Sequence, residues 1–143
     1  MSCLKRLTHL TTDTFEVYVQ AHADHFNVVG LTFHQDHSFF QEVYESLHSW
    51  YDTLGEQQRQ LGSTVPAFVG NKASSIKAHD NNYDTSTCYN RLYDNLQVLK
   101  NYAELLFKES GEENKAGLNT VVGDFTVDLS KLIWRVEATG YVK

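Results

Sequence analysis

Histidine and carboxylate side chains concentrate in one part of the chain, between residues 22 and 56. The pattern His-x-Asp-His occurs twice in the segment 22–37, so four of the seven histidines fall within sixteen residues. Asp52 and Glu56 follow, one helical turn apart. Imidazole and carboxylate groups together suit Fe, Zn, Mn or Cu, and spacing alone does not choose among these metals. The region therefore predicts a metal centre, with a solvated polar helix face as the alternative.

These polar residues form a stripe along one predicted helix. At about 100° per residue, six side chains of ligand type fall within about 100° of one another, beside an apolar stripe. The six are His37, Gln41, Glu45, His48, Asp52 and Glu56. On the far side of the same helix lie three more apolar residues, Phe39, Val43 and Trp50. A helix that is apolar on two faces has a second face to bury, and we expect that face to contact another subunit.

The motif count disfavours a di-iron site inside one chain. Ferritin-type di-iron bundles need a Glu-x-x-His motif on each of two helices, and this chain has one, from Glu45 to His48. His22 points into the apolar face of the first predicted helix. We expect it to be a hydrogen-bonded histidine, in the core or supporting a metal ligand, rather than a metal ligand itself.

Composition bounds the remaining possibilities. A chain of 143 residues is long enough for one domain, 1–143, and too short for two ordinary ones. The net charge of −6, from 18 acidic and 12 basic residues, argues against a protein that binds the nucleic-acid backbone, since such proteins normally present a basic face. Cys3 and Cys88 are too few for a disulfide framework and are expected to be free thiols. No apolar run approaches the roughly 18 residues of a membrane span, so we expect a cytoplasmic protein without a membrane partner.

Apolar residues at steps of three and four predict four helices. Their apolar stripes run from Phe15 to Val29, Phe33 to Leu54, Leu92 to Leu106 and Leu118 to Val136. Thr12 or Asp13 is the expected N-cap of the first helix. Helices two and three are joined by a long crossover, from Ser63 to about Asn82, in which residues 73–78 are predicted to form a short extra helix. Two short connections and one long crossover predict an all-α, ferritin-like four-helix bundle.

The stretch from residue 25 to residue 62 resembles the signature of the Dps (DNA protection during starvation) family, the mini-ferritins. In that signature a histidine precedes an aromatic-Asn-Val-x-Gly turn, and a second histidine follows twelve residues after the first. An Asp and a Glu then follow fifteen and nineteen residues after the second histidine. The positions that keep those intervals are His25, His37, Asp52 and Glu56. The likeness extends to the last helix, where Lys131 and Trp134 also look like the family pattern.

The resemblance implies a hollow shell of twelve subunits that stores iron. In such proteins the ferroxidase site lies between two subunits. The residues matching His25 and His37 come from one chain, and those matching Asp52 and Glu56 come from its two-fold mate. The site oxidises Fe²⁺, in this family preferentially with hydrogen peroxide, and the shell holds the ferric mineral. Removal of both reagents protects DNA from oxidative damage.

The sequence departs from the family pattern at several points. Gln41 replaces the Asp usually found four residues after the second histidine, so it is at most a weak iron ligand. Phe26 replaces the usual Trp after the first histidine. Acidic residues near the start of the last helix usually line the iron-entry pores. Thr120 occupies the expected place here, and Asp124 and Asp128 are the candidates for that role.

Binding to DNA is the property most affected by these departures. Family members that bind DNA commonly use a Lys-rich tail, and this chain has only Lys5 and Arg6 in the twelve residues before the first predicted helix. With a negative net charge, we expect direct binding to be poor at physiological salt. The competing hypothesis is a shell that coats DNA, associated with the nucleoid, with weak or lost ferroxidase activity.

Overall fold

The computed structural model describes residues 2–67, 76 and 81–142. Four α-helices run through the described residues: α1 (Cys3–Asn27), α2 (Phe33–Gln60), α3 (Thr85–Glu112) and α4 (Ala116–Ala138). This confirms the predicted all-α bundle of four helices. Along the same residues, no helix combines the length and the apolar character that crossing a membrane requires.

The core of the bundle is formed by apolar side chains of all four helices. On α1 the predicted stripe from Phe15 to Val29 is wrong, because Val19, Phe26 and Val29 are exposed there. The largest fully buried side chains include Leu7 and Leu10 of α1, Phe40 and Leu47 of α2, Leu96 and Leu99 of α3, and Phe125 and Leu129 of α4. Helix α1 packs against α2 and α3, and α3 packs against α4. The short turn after α1 therefore places the end of α1 directly beside the start of α2.

Helix α1 begins about ten residues earlier than predicted. Its N-cap is Ser2, whose hydroxyl accepts a hydrogen bond from the backbone N–H of Lys5. The expected cap at Thr12 or Asp13 is wrong, because both residues lie inside the helix. The Thr12 hydroxyl donates to the carbonyl of Thr8 one turn earlier, at 3.0 Å, and so satisfies itself without ending the helix.

The second apolar face of α2 is used within the subunit, contrary to the prediction that it contacts another one. Val43 is fully buried in the core. The Phe39 ring stacks on Tyr89 of α3, and the Trp50 ring lies 4.8 Å from the Phe125 ring of α4. A helix in a four-helix bundle has two neighbours, so an apolar surface on two sides is what the fold itself requires.

The end of the crossover is tied to the turn between α1 and α2. The Val29 N–H donates to the carbonyl of Tyr83, and the Thr85 N–H donates to the carbonyl of Val29. The predicted short helix at 73–78 lies outside the described residues, apart from Ile76. The end of the crossover therefore holds in place the turn that lies between His25 and His37.

Gly30 lies in this turn, and we expect Gly30→Ala to destabilise the fold. A Cβ at this position would lie 2.1 Å from the Thr85 hydroxyl oxygen, which itself donates to the Val29 carbonyl at 3.0 Å. Relieving this clash requires the turn to move or the hydrogen bond to break. The expected loss is about 1–3 kcal/mol of the free energy of unfolding. Thermal denaturation followed by circular dichroism measures it.

The matched control for this variant is Gly117→Ala. Gly117 lies in the first turn of α4, and a Cβ there would have nothing within 4 Å. Alanine is the better helix former, so this change is expected to be neutral or to stabilise by up to about 1 kcal/mol. Equal transition midpoints for Gly30→Ala and the parent protein would contradict the role given to the turn.

Candidate metal centre

Two histidines predicted as ligands meet at the turn between α1 and α2. His25 lies in the last turn of α1, and His37 lies in the second turn of α2. The chain reverses direction over residues 28–32, so the two imidazole rings stack with their centres 3.8 Å apart and their planes 18° apart. Residues that are twelve positions apart in the sequence thereby form one compact pair.

The two histidines hold each other through reciprocal hydrogen bonds. Nδ1 of His25 lies 2.7 Å from the carbonyl oxygen of His37, and Nδ1 of His37 lies 2.7 Å from the carbonyl oxygen of His25. A carbonyl can only accept, so each Nδ1 carries a proton and donates it. In a neutral imidazole this leaves the lone pair on Nε2, which is the atom available to a metal. The backbone therefore sets both the tautomer and the orientation of each ring.

The two predicted carboxylate ligands do not join this pair. Asp52 and Glu56 are both exposed on α2, fifteen and nineteen residues after His37. At 1.5 Å of rise per residue they lie about 22 Å and 28 Å further along the helix. Within the described residues, no group of three or more His, Cys, Asp or Glu side chains is placed to hold a metal ion. One subunit therefore carries two separated half-sets of candidate ligands.

Gln41 lies one turn after His37, on the same exposed face. Its amide nitrogen donates to a carboxylate oxygen of Glu45 at 2.9 Å. The Gln41 oxygen is a neutral ligand, so it adds no negative charge to a metal bound near His37. The polar stripe thus continues from His37 along α2, with Gln41 and Glu45 linked by this hydrogen bond.

His22 packs beside the histidine pair, with its ring centre 6.0 Å from that of His25. Its ring stacks on Tyr44 at 3.9 Å and on Phe26 at 4.8 Å, and its Nδ1 lies 3.3 Å from the Tyr18 hydroxyl. Burial lowers the pKa of His22, and its proximity to the His25 imidazole lowers it further. A half-buried, hydrogen-bonded and neutral His22 agrees with the supporting role expected from the sequence.

The Asp of each His-x-Asp-His segment is buried and structural, which sequence reasoning missed. Asp24 forms an ion pair with Arg91 of α3 at 2.8 Å and also accepts from Gln20. Asp36 accepts from the Tyr89 hydroxyl and the Thr32 hydroxyl, each at 2.7 Å. Both aspartates precede a ligand-type histidine by one position, so they anchor the backbone that aims the imidazoles. The placement of each Asp directly before a ligand-type histidine was the signal in the sequence that could have predicted this supporting role.

Burial governs the proton affinities of these supporting groups. It raises the pKa of Asp24, and the hydrogen bond and charge of Arg91 oppose that rise. Burial and the hydrogen bond to Asp36 together raise the pKa of Tyr89. Tyr89 therefore stays a neutral donor at physiological pH.

Comparison with known proteins places the chain in a family. Residues 4–139 match the Ferritin-like domain family. A DNA protection during starvation protein from Helicobacter pylori (strain J99) is 31% identical over 144 residues, which cover 96% of this chain and 98% of that protein. The chain belongs to the Dps family. The predicted resemblance is thereby confirmed.

Solved structures confirm the ferritin-like fold of this Dps chain. A Dps protein from Bacillus brevis superposes with a TM-score of 0.90 at 21% identity, over 96% of this chain and 93% of that one. Antigen TpF1 from Treponema pallidum superposes with a TM-score of 0.91 at 24% identity, over 96% and 90% of the two chains. The four-helix arrangement is therefore shared, while the chemistry depends on the residues described above.

The two candidate pore aspartates of this Dps chain have different surroundings. Asp128 accepts a hydrogen bond from the indole nitrogen of Trp50 at 2.9 Å, and Asp124 is exposed. Both line a cleft of about 470 Å³ between α2 and α4, with Ser46, Ser49 and Thr53. Asp128 is thus hydrogen-bonded to α2, whereas the exposed Asp124 is the more accessible of the two carboxylates to a cation.

Proposed function

We propose that this Dps chain oxidises and stores iron at a ferroxidase site that two subunits complete together. The observation that carries the proposal is the His25–His37 pair, whose Nε2 atoms are set for a metal by reciprocal 2.7 Å hydrogen bonds. A pair of neutral imidazoles alone holds Fe²⁺ weakly, and the carboxylates that suit it lie on the same helix, out of reach.

A two-fold mate supplies the missing half. If α2 of a second subunit runs antiparallel to α2 of the first, the partner's Asp52 and the partner's Glu56 come beside His25 and His37. The two-fold symmetry then repeats the site at the other end of the pair, since an isologous contact is used in both directions. Each dimer would hold two ferroxidase sites, and each site would use one half of each subunit.

The ligand set suits the oxidation of iron. Carboxylate ligands favour Fe³⁺ over Fe²⁺ because they neutralise its additional charge. Two Fe²⁺ ions each give one electron to hydrogen peroxide, whose O–O bond breaks to leave two hydroxide ions. The ferric product collects as mineral inside a shell of twelve subunits. Consumption of iron and peroxide together removes the reagents of hydroxyl-radical formation, which protects DNA.

The charge of the assembly supports this function. Twelve chains of −6 each give a formal −72, which attracts cations. Gln41 leaves the site with one anionic ligand fewer than an Asp would, so a second iron ion beside His37 is expected to bind more weakly than the first.

Substitution of both carboxylates tests the proposal. Asp52→Asn together with Glu56→Gln keeps the size of each side chain and removes both charges. We expect the initial rate of peroxide-driven Fe²⁺ oxidation to fall by at least about 10-fold, since loss of even one supporting group at a metal site costs about that much. Absorbance of the ferric product measures the rate, and an unchanged rate would refute the site.

A DNA-coating role is the competing function. The structure places Lys5 and Arg6 inside α1, and Arg6 forms an ion pair with Glu109 of α3. Neither residue belongs to a free basic arm in the described part of the chain. A gel shift at low salt without divalent ions separates the two functions: we expect no retardation of DNA, and clear retardation would favour the coating role.

A further inference from the structure

We infer that Glu45 and His48 of two subunits together form a second divalent-cation site, on the two-fold axis of the dimer. This inference rests on the proposed function, because the register of the two α2 helices follows from the shared ferroxidase ligands. It concerns residues that the ferroxidase site does not use.

The position of the axis follows from the ligand spacing. When two antiparallel helices are related by a two-fold axis, positions that face each other lie at equal distances on either side of it. His37 faces the partner's Asp52 and the partner's Glu56, so the axis passes α2 midway between them, beside Glu45. Each ferroxidase site then lies about 11–14 Å from the axis, half of the separation along the helix.

The side chains at that level are of ligand type and exposed in the single subunit. Glu45 and His48 are three residues apart, so they project from the same face of α2. The Gln41 amide holds the Glu45 carboxylate at 2.9 Å, and the His48 ring lies 5.2 Å from the Tyr18 ring of α1. Both side chains are therefore oriented by a neighbour before any second subunit arrives.

Dimerisation through this face creates an electrostatic repulsion that has to be compensated. It brings the two Glu45 carboxylates to the same axis and removes water from around them, and like charges at short range in such a place repel. A cation between them removes the repulsion. The two His48 imidazoles supply two nitrogen ligands, so the axis offers two oxygens and two nitrogens.

That set matches what Zn²⁺ accepts in a four-coordinate site. One subunit contributes only two of the four ligands. This agrees with the finding that no cluster of three ligand-type side chains exists within residues 2–67, 76 and 81–142. The site is therefore incomplete without the second copy.

Zinc binding to the assembled protein tests the inference. The starting protein carries His25→Ala, His37→Ala, Asp52→Asn and Glu56→Gln, so that the ferroxidase ligands do not compete for the probe. We expect isothermal titration to give one Zn²⁺ for every two subunits, and anomalous diffraction at the zinc edge to place it on the two-fold axis. Adding His48→Ala is expected to weaken this binding at least 10-fold. Adding His34→Ala, at an exposed histidine in the first turn of α2, is expected to leave it unchanged.

The outcomes separate this inference from the proposed function. A zinc position off the axis, no zinc at all, or equal affinity with and without His48 overturns the second site. Loss of iron oxidation in the Asp52→Asn, Glu56→Gln protein supports the ferroxidase site whatever the zinc result. Retention of iron oxidation in that protein overturns the ferroxidase site, and a zinc ion on the axis would still establish the second one.

Discussion

Shells assembled from two inactive variants are expected to regain about a quarter of the parental rate of iron oxidation, because subunits pair at random across an isologous interface. One variant carries His25→Ala and His37→Ala, and the other carries Asp52→Ala and Glu56→Ala. Each alone lacks one half of every site. A mixed dimer contains one site in which both halves are intact and one in which both halves are changed.

The expected fraction follows from counting pairs. When equal amounts of the two variants are unfolded and refolded together, about half of the dimers are mixed, and each has one intact site of its two. The structure is the reason to expect this, since His37 and Asp52 lie about 22 Å apart along one helix and cannot share a metal within a subunit. Fe²⁺ oxidation under hydrogen peroxide, followed by absorbance, measures the recovery.

The control is a mixture made after assembly. The same two variants, refolded separately and then combined without exchange of subunits, are expected to remain inactive. If co-refolded shells are as inactive as this control, the halves of the site do not combine across subunits. If the His25→Ala, His37→Ala variant is active by itself, the histidine pair is not part of the ferroxidase site.

The helix pattern was predictable because the fold depends on it directly. Apolar residues at steps of three and four are the residues that the bundle buries in α2, α3 and α4, so the cores of those helices could be read from the sequence. The core of α1 could not, because most of its buried apolar residues, such as Leu7 and Leu10, precede the predicted stripe. The residue at which α1 begins could not be predicted, since its first three turns contain threonines, a residue type that is favoured at helix N-termini. In the structure Thr12 donates to Thr8 inside the helix, and only tertiary packing reveals that choice.

The candidate ligands were predictable as a set, but their separation into two halves within one chain was not visible from residue types alone. The spacing placed His37 and Asp52 on one face, and the resemblance supplied the idea of two subunits. The second apolar face of α2 was assigned to the wrong neighbour, because periodicity predicts that Val43 and Trp50 are covered by another element without showing by which one. Local hydrogen bonds, such as those that fix the His25 ring, depend on atomic positions that no periodicity specifies.

Loss of one partner of the buried ion pair beneath the histidines is expected to destabilise the fold more than loss of any other single polar contact. Asp24 and Arg91 are both buried, with their charged atoms 2.8 Å apart, and they link α1 to α3 directly behind His25. Arg91→Met preserves much of the apolar volume and removes the positive charge. Breaking one partner of a buried pair costs about 3–5 kcal/mol, because the remaining charge is left without compensation. Urea denaturation at fixed protein concentration measures the loss.

The pH dependence of this loss has a definite sign. In the variant, the hydrogen bond and charge of Arg91 no longer lower the pKa of Asp24, while burial still raises it. A carboxyl group whose pKa is higher in the folded state than in the unfolded state binds its proton more tightly when folded. Stability is then lost as the pH rises from the unfolded pKa through the folded one. The difference between variant and parent is therefore expected to be larger at pH 8 than at pH 5.

Arg135→Met provides the matched control, because the Arg135 guanidinium also lies 2.7 Å from a carboxylate, that of Glu42, but the two side chains are 35% and 59% exposed to solvent. Exposed pairs contribute at most about 1 kcal/mol, so this variant is expected to stay close to the parent at both pH values. Adding Asp24→Asn to Arg91→Met removes the uncompensated charge and is expected to recover part of the stability at pH 8 and to abolish the additional pH dependence. Equal losses for Arg91→Met and Arg135→Met would show that the buried pair does not hold α1 against α3.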